Sequence, residues 1–379
     1  MNNNKLIRVT HIASGDQWAG AEVQLYTLCK FLIQIKDLDI SVILLNHGTL
    51  EQMLSKNNIA VKVLDETKLN GIQIGWQLFK LYRQTKPDVI HTHRVKENIL
   101  GGFTAWLVNI SSLRTVHGAP EHKPGWLHPH KRLFYILDWM IGRYFQSNIV
   151  AVSDELQELL KLKFQEHKLR VVHNGVDINS LMPYLKQPSL KNHTLKKSYK
   201  IGLVGRLVPV KRIDLFIQLA KNMFDLHPEI HFKFHVYGDG PLRPALEQQI
   251  KSLNLIDTVY MEGHCINIHA QIATLDALLI ISDHEGLPMT LLETMAIGVP
   301  VIAHSVGGIT QTCNNNECCW LIKDNTVDEI SQALMKCVKD DVERNKRILN
   351  AQKRIKQLYT AAANAENYCV IYRSLIDAS

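Results

Sequence analysis

Short apolar runs alternate with longer amphipathic stretches along the chain, and the pattern occurs twice. Residues 6–12 read as a strand, and apolar positions at helical spacing follow over about 21–35. The series continues as strand 40–46, helix 51–56, strand 61–64, helix 72–85, strand 88–91 and a helix through 107. Strand 113–116, helix 131–145, strand 149–152, helix 155–164 and strand 169–172 complete the first half. Strict strand–helix alternation predicts a parallel sheet covered on both faces. Residues 180–199 break the rhythm with Pro183, Pro188, several lysines and few large apolar groups, as a linker does. A second series follows: strand 200–204, helix 212–226, strand 230–237, helix 241–253, strand 258–261, helix 268–273 and strand 277–281. The unit 284–308, a strand near 320–322 and a helical tail from 327 end it.

The predicted class is α/β, with two doubly wound Rossmann-like domains facing one cleft. The expected domains are 1–180 and 200–360, joined by linker 181–199. Open α/β sheets bind ligands at the carboxyl ends of their strands. Glycine and polar residues do collect in the turns there, at 15–20, 91–94, 117–118, 174–175, 205–211, 238–240, 285–288 and 307–308.

The richest of these stretches is HEGLPMTLLETMAIGVPVIAHSVGG, residues 284–308. Pro288 suits the first turn of a helix, where its missing N–H costs little. The N–H groups of Met289, Thr290 and Leu291 are then free to face an anion. Glu285 precedes that helix end, and Glu293 follows it by eight residues, one to two turns in. A phosphate on the helix end, with carboxylates accepting from hydroxyls beside it, describes a sugar nucleotide. Two glutamates at this spacing also suit a solvated surface helix, but the Gly, Pro and Gly-Gly turns weigh against that. In Gly205-Arg206…Lys211, Arg206 offers a planar fork and Lys211 a point charge. Together they could hold a diphosphate and stabilise it as it leaves, or form a basic surface loop. Ala19-Gly20 opens the first helix without a G-x-G-x-x-G fingerprint, which argues against a dinucleotide cofactor. His117, after a strand, either touches a sugar or is a structural histidine. His91 and His93 read as structural, and Asn174-Gly175 as a turn closing the first domain.

Composition narrows the setting. A chain of 379 residues, 46% hydrophobic and 21% charged, fits two soluble globular domains. Residues 1–5 are polar and no run of about 18 uncharged apolar residues exists, so neither a secretory signal nor a membrane span is expected. Seven scattered cysteines predict reduced thiols in the cytoplasm. Cys313, Cys318 and Cys319 lack a second pair at finger spacing, so no metal is expected. The net charge of +7 is spread out and accompanied by no recognition motif, so nucleic acid is not an expected partner. Residues 119–130 set Trp126 among histidines and a lysine, suiting an anionic membrane, a lipid-diphosphate acceptor or a variable surface loop.

Taken in order, AGAE, HTH, TVHG, AVSDEL, VVHNGVD, VGRLVPVK, GDGP, the E-x7-E unit and GG resemble the retaining glycosyltransferases of family 4 (glycosyl transferases group 1), with the GT-B fold. The resemblance spans nearly the whole chain. It implies transfer of a sugar, with retention, from a nucleotide-diphosphate donor, expected to be UDP-linked. The implied acceptor is a glycan or a lipid-linked glycan in bacterial surface polysaccharide or lipopolysaccharide synthesis. No metal or other cofactor is implied. The implied location is the cytoplasm, at the inner face of the membrane, with peripheral contact to anionic lipid.

By the same resemblance Arg206, Lys211, Glu285 and His117 are the catalytic candidates. Gly20, Gly205, the backbone of Gly286, Leu287, Pro288, Met289, Thr290 and Leu291, and Glu293 on the ribose form the donor site. Asp16 and Trp126 are acceptor-side candidates, and residues 361–379 are expected to return to the first domain. Retention is usually explained in such enzymes by attack on the face the leaving group departs from. Two departures stand out: Ala19 where the family has glycine, and Arg212 where it has glycine after the lysine. The alternative readings are a nucleotide-sugar epimerase of the same fold and a non-catalytic nucleotide-sugar-binding subunit.

Overall fold

A computed structural model describes residues 6–16, 18–118, 129–187 and 198–377. The chain divides into two compact units, Met1–Gly175 with Ala361–Ser379, and Val176–Thr360. The boundary sits slightly before residue 180, because Val176 bridges to Thr360 and donates its N–H to Tyr359 O at 2.9 Å. The described start of the expected linker is also tied to the second unit. Lys186 donates its backbone N–H to Ile297 O and its Nζ to Leu275 O, both at 2.7 Å.

The first unit holds seven parallel strands: β1 (Ile7–Ala13), β2 (Leu38–Leu44), β3 (Ala60–Val63), β4 (Val89–Thr92), β5 (Ser111–Val116), β6 (Asn148–Ala151) and β7 (Leu169–Val171). Their order is β3-β2-β1-β4-β5-β6-β7, with Val9 beside Ile40 on one side and Val89 on the other. β4 and β6 are buried along their whole length, as central strands covered on both faces must be. The C-terminal helix Ala361–Asp377 completes this core. Its Tyr368, Cys369 and Tyr372 pack with Val9, Leu25 and Leu28, and Gln24 Nε2 donates to Asn364 Oδ1 at 3.1 Å. The stretches read as plain helices through 107 and over 131–145 each contain a π turn, at Asn98–Gly102 and Ile141–Phe145. π turns are rare and leave little mark in side-chain spacing.

The second unit holds β8 (Ser198–Val204), β9 (His231–Tyr237), β10 (Val259–Gly263), β11 (Ala277–Ile280), β12 (Val301–His304) and β13 (Trp320–Ile322), all parallel, in the order β10-β9-β8-β11-β12-β13. Phe216 and Phe234 meet edge to face at 5.2 Å in its core. The helix Met289–Ile297 is buried on nearly every side, so it carries no amphipathic stripe. One expectation is corrected here. Cys313 and Cys319 are joined as a disulfide with Cα atoms 5.6 Å apart, while Cys29, Cys265, Cys318, Cys337 and Cys369 are free thiols.

Two loops of this unit cross too closely for any side chain. Gly238 has φ +144°, and a Cβ there would lie 1.9 Å from Gly205 O. Gly238→Ala is therefore expected to lower the unfolding free energy by about 2–3 kcal/mol in urea titrations. Gly75, inside the helix Gly71–Thr85, has open space where its Cβ would be. Gly75→Ala should raise stability by about 0.5–1 kcal/mol.

Candidate active site

Each sheet reverses its strand order once, between β1 and β4 in the first unit and between β8 and β11 in the second. The carboxyl ends of those strands are where such sheets take ligands.

In the second unit, β8 runs out into Gly205-Arg206, and Pro209–Lys211 makes a short 3₁₀ turn. β11 runs out into Ser282 to Glu285. The two loops meet where Lys211 Nζ donates to Glu285 Oε1 at 2.5 Å, with the carboxylate mostly buried. Lys211, Ser282, Glu285, Pro288 and Thr290 line one small cavity with Leu203 and Val204. Arg206 is exposed and has no ion-pair partner among the described residues. The glycine turn after β12 clamps the acidic turn from behind. Gly308 N–H donates to Gly286 O at 2.6 Å, and Gly307, at φ +56°, would set a Cβ 2.1 Å from Glu285 O. That close approach and the positive φ require glycine at Gly307.

The helix that follows corrects one detail. Pro288 is the N-cap (φ −68°, ψ 128°) and not the first helical residue. Leu291 N–H is already bonded to Pro288 O at 3.1 Å. Met289 and Thr290 therefore supply the N–H groups without an intrahelical acceptor. Glu293, 9% exposed, is the one carboxylate in this apolar helix. Its Oε1 lies 3.2 Å from His269 Nε2, on the helix Ile268–Thr274. Burial pulls the His269 imidazole down, but the Glu293 carboxylate against it outweighs that, so its pKa lies above the usual value.

Arg212 occupies the left-handed region at φ 51°, which explains why a glycine suits this position. Its guanidinium reaches Asp283 Oδ1 at 3.1 Å and Asp214 Oδ1 at 3.2 Å, so it serves these carboxylates at the helix start.

In the first unit, the turn after β1 holds Asp16 and leads into helix Gly20–Leu32, whose N-cap is Ala19. Ala19 N–H donates to Glu22 Oε2 at 3.2 Å. A Cβ on Gly20 would meet no protein atom within 4 Å, so the space before it is open. Arg94, after β4, pairs with the buried Glu22 and comes within 4.0 Å of Asp16. Burial raises the Glu22 carboxyl against the opposing charge of Arg94. Ser14 donates to Glu97 Oε1 at 2.6 Å, and burial raises that carboxyl too. His117 follows β5 and touches His93, with Nδ1 of His93 3.2 Å from its Nε2; burial lowers the His117 pKa to about 4. Trp126 lies outside the described residues. The sequence marks Arg94 only as part of the polar turn 91–94 and does not mark Glu97 or His269, because each acts through a partner from a separate element.

A cavity of about 990 Å³ in the second unit lies away from all this, along the β13 edge beside Trp320, Lys336 and Arg347. It opens on a sheet edge and not on the carboxyl ends of strands, so the topology favours the Lys211–Glu285 site.

Two doubly wound Rossmann-like units in one chain are the architecture of the GT-B fold. The model for Glycosyltransferase Family 4 matches residues 18–180, and that for Glycosyl transferases group 1 matches residues 186–354. The chain belongs to this family and is a glycosyltransferase. Among curated relatives, an Escherichia coli UDP-Gal:alpha-D-GlcNAc-diphosphoundecaprenol alpha-1,3-galactosyltransferase is 26% identical over 350 residues, covering 89% of each chain. The E. coli O-antigen biosynthesis glycosyltransferase WbnH is 27% identical over 227 residues, 60% of this chain and 58% of that protein. Anabaena Alr3699/HepE, solved in complex with UDP-glucose, shares the fold at 20% identity with a TM-score of 0.81, over 97% of this chain and 100% of that one.

Two outcomes test the local account. Arg212→Gly should change the unfolding free energy by less than about 1 kcal/mol, since relief of the left-handed backbone offsets two exposed ion pairs. Arg212→Ala keeps the strained backbone and loses the pairs, and should cost about 1 kcal/mol. For His269 the folded pKa lies above the unfolded one, so its contribution is complete below the unfolded value and is lost as pH rises through the folded one. The Tm difference between wild type and His269→Gln should accordingly be largest in mild acid and shrink toward alkaline pH.

Proposed function

We propose that the chain moves a sugar from a UDP-linked donor to a lipid-diphosphate-linked glycan acceptor in bacterial surface polysaccharide assembly, with retention of anomeric configuration. One observation carries the reading: Lys211 and Glu285 are joined at the start of the helix that bears Glu293. In this reading Lys211 and Arg206 neutralise the diphosphate, with the N–H groups of Met289 and Thr290 adding fixed dipoles. Glu293 accepts from the ribose hydroxyls and Glu285 stands beside the donor sugar; in the first unit, His117 is assigned a sugar contact. The bond from the anomeric carbon to the diphosphate oxygen breaks, and the acceptor oxygen bonds to that carbon on the same face. The acceptor proton passes to the departing phosphate, and UDP leaves. The basic pair and helix start supply the counter-charge that a metal would otherwise supply, so EDTA should leave the activity unchanged. The UDP-galactose and diphosphoundecaprenol in the name of the E. coli relative support this choice of donor and acceptor class.

Membrane contact has support in the first unit. Leu133, Phe134, Ile136 and Met140 are exposed on the helix Pro129–Met140, with Tyr144 exposed just beyond. Phe103 and Trp106 are exposed beside them, the Trp106 ring lying 4.7 Å from that of Phe145. Arg132 is exposed on the same helix, and Arg143 stacks over Trp139 and Tyr144. An apolar helix face flanked by arginines suits the headgroup region of an anionic inner leaflet. Among the described residues no helix is long and apolar enough to cross a membrane.

The defining assay offers UDP-, GDP-, ADP-, dTDP- and CMP-sugars with a lipid-diphosphate acceptor, with and without EDTA, and reads the new anomeric centre by NMR. One UDP-sugar should give an axial-retained product in both conditions. Hydrolysis, epimerisation or no product with any donor contradicts the reading. Glu293→Ala should weaken donor binding by about 1.5–3 kcal/mol, roughly 10- to 100-fold in Kd; normal donor affinity in a folded variant refutes the ribose role. Leu133→Asp with Phe134→Asp should abolish co-sedimentation with anionic vesicles while leaving UDP binding intact.

A further inference from the structure

Four histidines of the first unit stand in a row behind its carboxyl edge. His11 lies in β1 and His91 in β4; His93 and His117 follow β4 and β5. His11 and His91 are fully buried and His93 is 6% exposed. The row is continued by Thr115 of β5 and by Tyr368 and Tyr372, one turn apart on the C-terminal helix.

Every contact in the row is a hydrogen bond, and the donors and acceptors can be counted. The Tyr368 hydroxyl lies 2.7 Å from Thr115 Oγ1, which lies 2.8 Å from His91 Nε2. His91 Nδ1 lies 2.8 Å from the Tyr372 hydroxyl, which lies 3.5 Å from His11 Nε2. His11 Nδ1 is 3.0 Å from His93 Nε2, and His93 Nδ1 is 3.2 Å from His117 Nε2. With all four imidazoles neutral, each of the seven groups has one proton to give and one to accept. Burial favours the neutral rings: it lowers His11 to about 3 and His117 to about 4, and holds His91 and His93 well below the usual value.

One sense of this chain satisfies every buried group. Tyr368 has Thr115 as its single hydrogen-bond partner among the described residues, so its O–H donates there. Thr115 then donates to His91 Nε2, His91 Nδ1–H to Tyr372, and Tyr372 to His11 Nε2. His11 Nδ1–H donates to His93, and His93 Nδ1–H to His117 Nε2. The proton of His117 is left on Nδ1, the nitrogen that has no partner among the described residues. The opposite sense would strand the Tyr368 proton in the core, which is enough to bias the tautomers by about tenfold or more.

We infer that this array is a tautomer relay that fixes His117 as an Nδ1–H donor, making Tyr372, His11, His91 and His93 positioning residues for the sugar contact assigned to His117. The use made of the relay rests on that assignment; the relay itself does not. The same three imidazoles, His11, His91 and His93, bring ligand nitrogens within 4.8 Å of one another, the spacing of a metal site. Each of their six ring nitrogens already has a hydrogen-bond partner, so the cluster is complete as a relay.

The test is a long-range proton–nitrogen NMR correlation on the full-length protein labelled with ¹⁵N-histidine at neutral pH, with His117 assigned through His117→Gln. His117, His93, His11 and His91 should each be neutral and protonated at Nδ1. Tyr372→Phe cuts the row at its longest link and should leave His117 as a mixture of tautomers, with kcat reduced several-fold and donor KM unchanged. Tyr368→Phe removes the terminal donor and serves as the second variant, with the same loss of tautomer bias expected. A His117 protonated at Nε2, an imidazolium, or an unchanged tautomer in both variants overturns the relay. So does stoichiometric zinc uptake by the purified protein that His91→Gln abolishes. Normal turnover by His117→Gln with the tautomers as expected would instead remove the sugar contact and leave the relay standing.

Discussion

A parallel sheet that reverses its strand order leaves one stretch of its carboxyl edge uncovered, because the helices on either side of the reversal leave in opposite directions. Both units are built around that constraint, at β1/β4 and at β8/β11. The loops that end those strands cannot be packed away, and their backbone groups face outward. Helix starts lie beside them, with N–H groups that only a ligand or water can satisfy. The Lys211–Glu285 bond, the Gly307 clamp behind it and the Glu22–Arg94 pair all sit at these two places. The loops there end on strands held in the middle of each sheet, which fixes the groups they carry.

Charge in these places is held, not loose. Glu22, Glu285 and Glu293 are largely withdrawn from water, and each has a cation or imidazole against it. Removing a carboxylate from water costs several kcal/mol unless a partner offsets it. Arg206 differs: it is exposed and has no ion-pair partner among the described residues. An arriving diphosphate would therefore meet one uncommitted guanidinium and one ammonium that must share itself between phosphate and Glu285.

Much of this was legible in the sequence, for a physical reason. Buried parallel strands are short runs of Val, Ile and Leu, and the helices between them repeat at 3.6 residues, so the alternation is visible without a structure. The loops that end β8, β11 and β12 were legible because glycine marks backbone that other residues follow poorly, as Gly307 at φ +56° does. What stayed hidden depends on contacts between distant segments. The hydrogen-bonded row from His11 to Tyr372 joins residues as much as 361 apart, so His91 and His93 read only as structural. His269 was not visible as the partner of Glu293. The N-cap role of Pro288 is a matter of one residue of backbone, finer than spacing resolves. The Cys313–Cys319 disulfide depends on the local loop bringing two Cα atoms to 5.6 Å, while the odd cysteine count pointed to thiols.

The central claim is that the Lys211–Glu285 corner and the start of the helix Met289–Ile297 receive a nucleoside diphosphate. A crystal structure of the protein grown with UDP tests it most directly. The account predicts the diphosphate within hydrogen-bond distance of Lys211 Nζ, Arg206 and the Met289 and Thr290 N–H groups, with the ribose hydroxyls on Glu293. UDP bound anywhere else, or a ribose that leaves Glu293 paired only with His269, would contradict it.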